Sequence, residues 1–147
     1  MFLGINTHFI MKFDFEAGLQ FAQDLGAKGI EVAAGGQFSK EYCDLDKLLA
    51  DDGERQRWLD TFARYNLAIS SLSCHGSPLS PNEEIAWAYR FQFRQACELM
   101  EKIGLQRMTL VAGLPEAAEG ETCPVWITQQ TQEPNLSFWM DTLQWQG

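Results

Sequence analysis

Residues 80–113 read SPNEEIAWAYRFQFRQACELMEKIGLQRMTLVAG, a helix followed directly by a strand. Residues 80–83 have the spacing of a capping box, with Ser80 as the N-cap and proline at the first helical position. Gly104 predicts the helix end, because glycine adopts the left-handed conformation without steric cost. RMTLVAG, residues 107–113, then predicts a strand. Between start and end, apolar residues recur at helical spacing on one face: Ala86, Tyr89, Phe93, Ala96, Met100 and Ile103.

An earlier unit of the same kind follows an apolar N-terminal segment. FLGIN, residues 2–6, predicts the first strand. A helix is predicted over residues 14–25, with Asp14 as its N-cap. Gly26 predicts its end, and GIEVAA, residues 29–34, predicts the second strand. The apolar face of this helix is predicted from the spacing of Phe15, Leu19, Ala22 and Leu25.

The middle unit has the same order, with an interruption inside its helical part. Helix is predicted from about Asp44, with a break at residues 51–53, Asp-Asp-Gly. Asn66 predicts the end of the helical part, since asparagine is second to glycine at this position. LAISSLSC, residues 67–74, predicts the third strand. The three predicted helix ends are 40 and 38 residues apart, so the βα unit repeats.

Alternation of strands and helices predicts an α/β protein with a parallel sheet and right-handed crossovers. An open doubly wound sheet and a closed (β/α)8 barrel both fit this order. No glycine-rich phosphate fingerprint follows the first strand. His8, Glu31 and His75 are expected at the carboxyl ends of strands, where parallel barrels have their active sites. We therefore favour an incomplete TIM barrel of parallel (β/α) units with about four strands, in one domain over residues 1–147 that ends in a loop and partial helix at 114–147.

Composition restricts the class of partner and the compartment. The chain has 11 basic and 20 acidic residues, a net charge of −9, which disfavours nucleic acid and anionic membrane as partners. No segment approaches the roughly 20 apolar residues of a membrane span, and the N-terminus lacks the features of a signal peptide. Four cysteines without a CxxC pair predict reduced thiols in the cytoplasm.

Residues 70–81, SSLSCHGSPLSP, resemble the third-strand loop of the sugar phosphate isomerase/epimerase family, the xylose isomerase-like TIM barrels. One branch of that family carries a Ser-x-His-Gly-Asn-Pro-Leu-His-Pro type segment there. Ser77 and Ser80 depart from it, replacing the asparagine and the second histidine. The resemblance includes LGAKGIEV at 25–32 and the helix and strand at 96–113, and it covers nearly the whole chain but only the N-terminal half of the family's usual length.

The resemblance implies a metal-dependent barrel that acts on a sugar or sugar phosphate. Its relatives move a proton next to a carbonyl while a divalent ion polarises the oxygens, and two carboxylates act as acid and base. It implies Mn²⁺ or Mg²⁺, with Zn²⁺ as a third option, for the full-length form. The ligands come mainly from strands five to eight in the relatives. This chain alone is therefore expected to hold no metal and, as a fragment, to be inactive.

Three residues are candidates for substrate binding, and none is identified as catalytic. His75 could contact substrate hydroxyls or a metal as a neutral imidazole, or hydrogen-bond its own loop. Glu31 could orient a sugar hydroxyl, or be paired with a cation or solvated. His8 is the third candidate, with a capping or loop role as its alternative. Cys74 is expected on the opposite strand face from His75, which disfavours a Cys-His nucleophile.

Two other functions compete with the isomerase or epimerase. The first is a non-catalytic truncated remnant, which either pairs with a second copy that covers its open sheet edge, giving a homodimer, or is only marginally stable. The second is a metal-dependent nuclease like the apurinic endonuclease barrels. Such a nuclease needs another histidine after the fourth strand, where residues 111–115 read VAGLP. The negative charge also disfavours DNA, so this alternative is weaker than the isomerase.

Overall fold

The computed structural model describes residues 2–36, 41–80 and 82–111. The predicted loop and partial helix at 114–147 lie outside these ranges. A 3-10 turn at Thr7–Phe9 follows the first strand. In chain order the other elements are β1 (Gly4–Asn6), α1 (Phe15–Asp24), β2 (Gly29–Gly36), α2 (Leu45–Ala50), α3 (Asp52–Arg64), β3 (Ala68–His75), α4 (Glu83–Ile103) and β4 (Met108–Thr109).

The four described strands form one parallel sheet in the order β1-β2-β3-β4. This confirms the predicted α/β class with parallel pairing between successive units. Among these strands the order does not reverse, so right-handed crossovers place the intervening helices on the same face of the sheet. Helix α4 packs on β2 and β3, α3 contacts β3, and α2 packs against α4.

The hydrophobic core lies between this helical layer and one face of the sheet. Side chains of a strand alternate between its two faces, and every second residue of β2 belongs to the core. Burial of this apolar surface stabilises the fold by roughly 25 cal/mol for each Å² removed from water. The core residues include Ile30, Val32 and Ala34 of β2, Leu72 of β3, and Leu19, Phe62, Ala96 and Leu99 of the helices.

The predicted helix ends are confirmed by backbone conformation. Gly26 has φ +80°, Asn66 has φ +53° and Gly104 has φ +69°, all in the left-handed region that ends helices. The predicted break in the second helical region is also confirmed, since α2 ends before Asp51 and α3 begins after it. The Asp51 carboxylate accepts hydrogen bonds from the backbone N–H groups of residues 53 and 54.

Two predicted details at the helix ends are wrong. Asn82, and not Ser80, is the N-cap of α4, because its side-chain oxygen accepts from the backbone N–H groups of Glu84 and Ile85. The Ser80 hydroxyl instead accepts from the Asn82 N–H within the preceding turn. Asparagine and serine are equally good caps, so residue type did not decide between them. Leu25 was predicted on the buried face of α1, but it is 54% exposed since the helix already ends at Asp24.

Candidate functional site

The sheet face that points away from the helices carries polar side chains from all four described strands. Asn6, Glu31 and Ser71 lie side by side, because β1–β2 pairing aligns the first two and β2–β3 pairing aligns the last two. Ser73 and Thr109 are aligned in the same way between β3 and β4. We call this surface the polar face and define it by Asn6, Glu31, Ser71, Ser73, His75 and Thr109.

The Glu31 carboxylate is the centre of the polar face. The side-chain amide of Asn6 donates to Oε1 of Glu31. The hydroxyls of Ser71 and Thr109 donate to Oε2 at 3.4 and 3.3 Å, which is long for O–H···O bonds and makes these two contacts weak. Donors from β1, β3 and β4 therefore orient one carboxylate on β2. Since a carboxylate offers about four acceptor positions, it can still accept from a ligand.

None of the ion pairs in the part of the chain that the structure describes includes Glu31, so the alternative of a Glu31 paired with a cation is not supported there. The ion pairs formed there involve other carboxylates, on the helices. Glu31 is half-buried and its identified contacts are all with neutral donors. A hydroxyl-bearing ligand would therefore meet an acceptor that is not already neutralised by a lysine or arginine of these residues.

His75 lies on the polar face as the last residue of β3, two residues beyond Ser73. The residue is half-buried and its Nδ1 atom is buried. The prediction that Glu31 shares this carboxyl end is wrong. Glu31 is the third residue of β2, which continues for five more residues, and it pairs with Ser71. His75 is four residues further along β3 than Ser71, about 13 Å along the sheet.

His8 lies where the sequence predicts, directly after β1 and in the 3-10 turn. It is exposed, and its backbone N–H donates to the side-chain oxygen of Asn6 at 2.7 Å. Its ring meets that of Phe9 edge-on. Asn6 therefore contacts two candidate residues, since its oxygen caps the His8 turn and its amide donates to Glu31. The Thr7 hydroxyl ties the same turn to β2 by accepting from the Ala33 N–H at 2.9 Å.

Contacts at the end of β2 support the backbone of His75. Gly36 pairs with His75 and has φ +80°. A Cβ on Gly36 would overlap the carbonyl oxygen of His75. The side-chain oxygen of Gln92, on α4, accepts from the Gly36 N–H at 2.6 Å. A close backbone approach that only glycine permits therefore sets the distance between β2 and His75.

A cavity of about 360 Å³ lies at the same end of the sheet but on the helical side. Burial raises the pKa of the Cys74 thiol to about 11, so the thiol is protonated near neutral pH and is a poor nucleophile. Cys74 also alternates with His75 along β3, so their side chains point to opposite faces. The acid–base and hydrogen-bonding groups are on the polar face, and we place the candidate site there. The cavity is lined mainly by apolar side chains, with two arginines: Cys74, Gly76, Pro78, Leu79, Tyr89, Arg90, Phe93, Arg94 and Leu110.

Four members of the polar face were not predicted as site residues: Asn6, Ser71, Ser73 and Thr109. Part of the signal was present in β3, where Ser71, Ser73 and His75 recur at every second residue of an otherwise apolar segment. Such alternation is typical of a strand with one polar face. Across residues 2–36, 41–80 and 82–111, no group of three His, Cys, Asp or Glu side chains is arranged to hold a metal ion.

The fold and site define an α/β protein with a parallel sheet and a polar, carboxylate-centred face. No protein-family model matches the sequence. The chain is 28% identical over 132 residues to a Bacillus subtilis (strain 168) protein named uncharacterized protein YfiH. The alignment covers 90% of this chain and 42% of YfiH, so the chain spans less than half the length of this relative. Within the described ranges, no helix has the length and apolar character needed to cross a membrane.

Proposed function

We propose that this chain forms the first four βα units of a xylose isomerase-like barrel that isomerises or epimerises a sugar or sugar phosphate. The observation that carries the proposal is the Glu31 carboxylate, held on the polar face by donors from three other strands. The resemblance of residues 70–81 to the third-strand loop of that family supports it. A divalent ion, when bound, would polarise the substrate oxygens in the full-length form.

The arrangement of the sheet supports a barrel over a doubly wound sheet. Doubly wound sheets reverse their strand order and cover both faces with helices, so their strands are apolar on both sides. Here the described strands follow one another in sequence order, and the face away from the helices is polar. The inner surface of a barrel that holds a hydrophilic ligand has this character. The match to part of a longer relative supports a form with more than four units.

The polar face is chemically suited to a polyhydroxylated ligand. A sugar hydroxyl both donates and accepts, and it can donate to Glu31 while accepting from a serine or amide on a neighbouring strand. His75, at the carboxyl end, contributes an imidazole that can donate or accept. In the proposal Glu31, His75 and His8 bind and orient the substrate, while the residues that move the proton are not assigned.

Binding of ketoses to the 147-residue chain tests the proposal. We expect saturable shifts in NMR titrations with five- and six-carbon ketoses or their phosphates. Glu31→Gln should weaken this binding roughly 10- to 150-fold, since a hydrogen bond to a charged group contributes roughly 1.5–3 kcal/mol. Glu98→Gln, on the exposed side of α4, is the matched control and should bind like the wild type. Absence of binding across the panel, or binding that Glu31→Gln leaves unchanged, would refute the proposal.

Turnover tests a second part of the proposal, the dependence on later strands. We expect no incorporation of solvent deuterium next to the ketose carbonyl by this chain with Mn²⁺ or Mg²⁺, because the resemblance places the metal ligands on strands five to eight. Exchange that EDTA and His75→Ala both abolish would overturn that expectation. It would at the same time establish the proposed chemistry.

A homodimer is the second candidate, with a non-catalytic role, and exposed apolar side chains favour it. Leu110 and Val111 are exposed directly after β4, and Trp87 and Phe91 form an exposed stacked pair on α4. A second copy could cover this surface together with β4, which is the outermost of the described strands on that side. We expect sedimentation at low micromolar concentration to show a dimer. A monodisperse monomer that unfolds sharply on heating would contradict it.

A cytoplasmic location is also part of the proposal, and the cysteines support it. Cys43, Cys74 and Cys97 are free thiols, as expected in a reducing compartment. The fourth cysteine, Cys123, lies outside the described residues. Secretion of the protein in an oxidised form would contradict this location.

A further inference from the structure

Ser73 carries a buried hydroxyl that the described part of the chain leaves without a hydrogen bond. Its side chain has no exposed surface, and its Oγ atom has no hydrogen-bond partner among residues 2–36, 41–80 and 82–111. The other two hydroxyls of the polar face, on Ser71 and Thr109, each contact Glu31. Buried hydroxyls nearly always form a hydrogen bond, because a lost bond to water is otherwise not replaced. The exception therefore requires a physical reason.

The register neighbours of Ser73 among the described residues do not bond its hydroxyl. Register places Ala33 on one side and Thr109 on the other. Ala33 offers only a methyl group, and the Thr109 hydroxyl is directed to the Glu31 carboxylate. The Glu31 carboxylate also contacts Ser71. It therefore contacts one residue before Ser73 on the same strand and one beside it on β4, but not Ser73 itself. The unsatisfied hydroxyl is thus next to the acceptor at the centre of the polar face.

We propose that the Ser73 hydroxyl binds a hydroxyl group of the substrate and so fixes the position of a polyol between Glu31 and His75. This inference rests on the proposed function. One ligand hydroxyl can donate to Glu31 and accept from Ser73, which satisfies both groups at once. Glu31 and His75, which come before and after Ser73 on the polar face, are only half-buried. The proposal requires one of these side chains to rotate so that a ligand reaches Ser73.

Three alanine variants of the 147-residue chain test the inference, with xylitol as the probe. Xylitol is an acyclic five-carbon polyol without a carbonyl, so it cannot be turned over. Ser73→Ala should keep or raise the melting temperature without ligand, because it removes an unsatisfied polar group. It should weaken xylitol binding about ten-fold, the effect of one lost hydrogen bond. Ser71→Ala should lower the melting temperature only slightly, because its contact with Glu31 is weak. Ser70→Ala, at a position without a register partner in β2, should change neither the melting temperature nor xylitol binding.

The outcomes separate this inference from the proposed function. If Ser73→Ala binds xylitol like the wild type while Glu31→Gln does not, the role of Ser73 is overturned and the proposed function stands. A melting temperature that falls in Ser73→Ala without ligand would mean that Ser73 already bonds an internal water, and it would also overturn the role. If the wild type binds neither xylitol nor any ketose, the proposed function fails and the inference fails with it.

Discussion

Replacing Gly36 by alanine tests whether close packing at the end of β2 fixes the backbone of His75. Gly36 has φ +80°, and an alanine in the left-handed region costs roughly 1–2 kcal/mol. The added methyl would also overlap the carbonyl oxygen of His75. That oxygen belongs to a paired strand and cannot retreat without disturbing the pairing. Overpacking of this kind costs roughly 1–3 kcal/mol, so we expect a total loss of about 2–5 kcal/mol.

Gly26→Ala is the matched control, because Gly26 has the same φ of +80° but no atom within 4 Å of an added Cβ. It should show only the conformational cost. Urea-induced unfolding of both variants gives the free energy of unfolding, and comparable m values make the comparison valid. The imidazole resonances of His75 should shift in Gly36→Ala alone. Equal losses of stability in the two variants would refute the role assigned to the contact with His75.

Other contacts give three further predictions. Gly18→Ala and Tyr42→Phe should each destabilise the fold by roughly 1–3 kcal/mol. The double mutant should lose less stability than the sum of the two, because the methyl added at residue 18 overlaps the hydroxyl that Tyr42→Phe removes. Additive losses in urea unfolding would contradict this. Burial raises the pKa of Tyr42 and of Cys43 to about 12, from 10.0 and 9.0, so the unfolded chain releases these protons first. The free energy of unfolding should therefore fall as the pH rises from about 9 to about 12, by up to about 1.4 kcal/mol per pH unit for each group. A free energy from urea unfolding that stays constant over this pH range would contradict the prediction. Asp51→Ala should cost about 1 kcal/mol and Asp14→Ala less, because of these two N-cap residues only Asp51 accepts cap hydrogen bonds through its side chain. Equal changes in thermal melts would argue against capping.

The alternation of helices and strands was predictable because its signals are local. Gly26, Asn66 and Gly104 end helices by adopting a conformation that other residues reach only at a steric cost. Each signal depends on one residue and its position after an apolar stripe. The start of α4 was predicted wrongly, because the capping-box spacing favoured Ser80 over Asn82, which is an equally good N-cap residue. The contact of the Asn82 side chain with the first turn of α4 decided the start.

The candidate site was less predictable, because it depends on which residues of separate strands lie side by side. His8 follows β1 and His75 ends β3, and the position of each could be predicted from its own strand alone. The contacts of Glu31 required the registers of β1, β2 and β3 together. No pattern within GIEV identifies Asn6 as the donor, or distinguishes Ser71 from Ser70 as the neighbour. The polar face could therefore be recognised only once the pairing of the strands was known.

A one-residue irregularity in β3 creates this face. Ile30 pairs with Ile69, but Glu31 pairs with Ser71, so Ser70 is an extra residue opposite β2. With strict alternation Ile69 would share a face with Ser71, and the chain would either expose an isoleucine or bury serines in the core. The bulge lets Ile69 pack against the core beside Ile30 while the serines and His75 remain together on the other face. Bulges are common beside functional sites because they redirect side chains in this way, and here the redirection brings Ser71 beside Glu31.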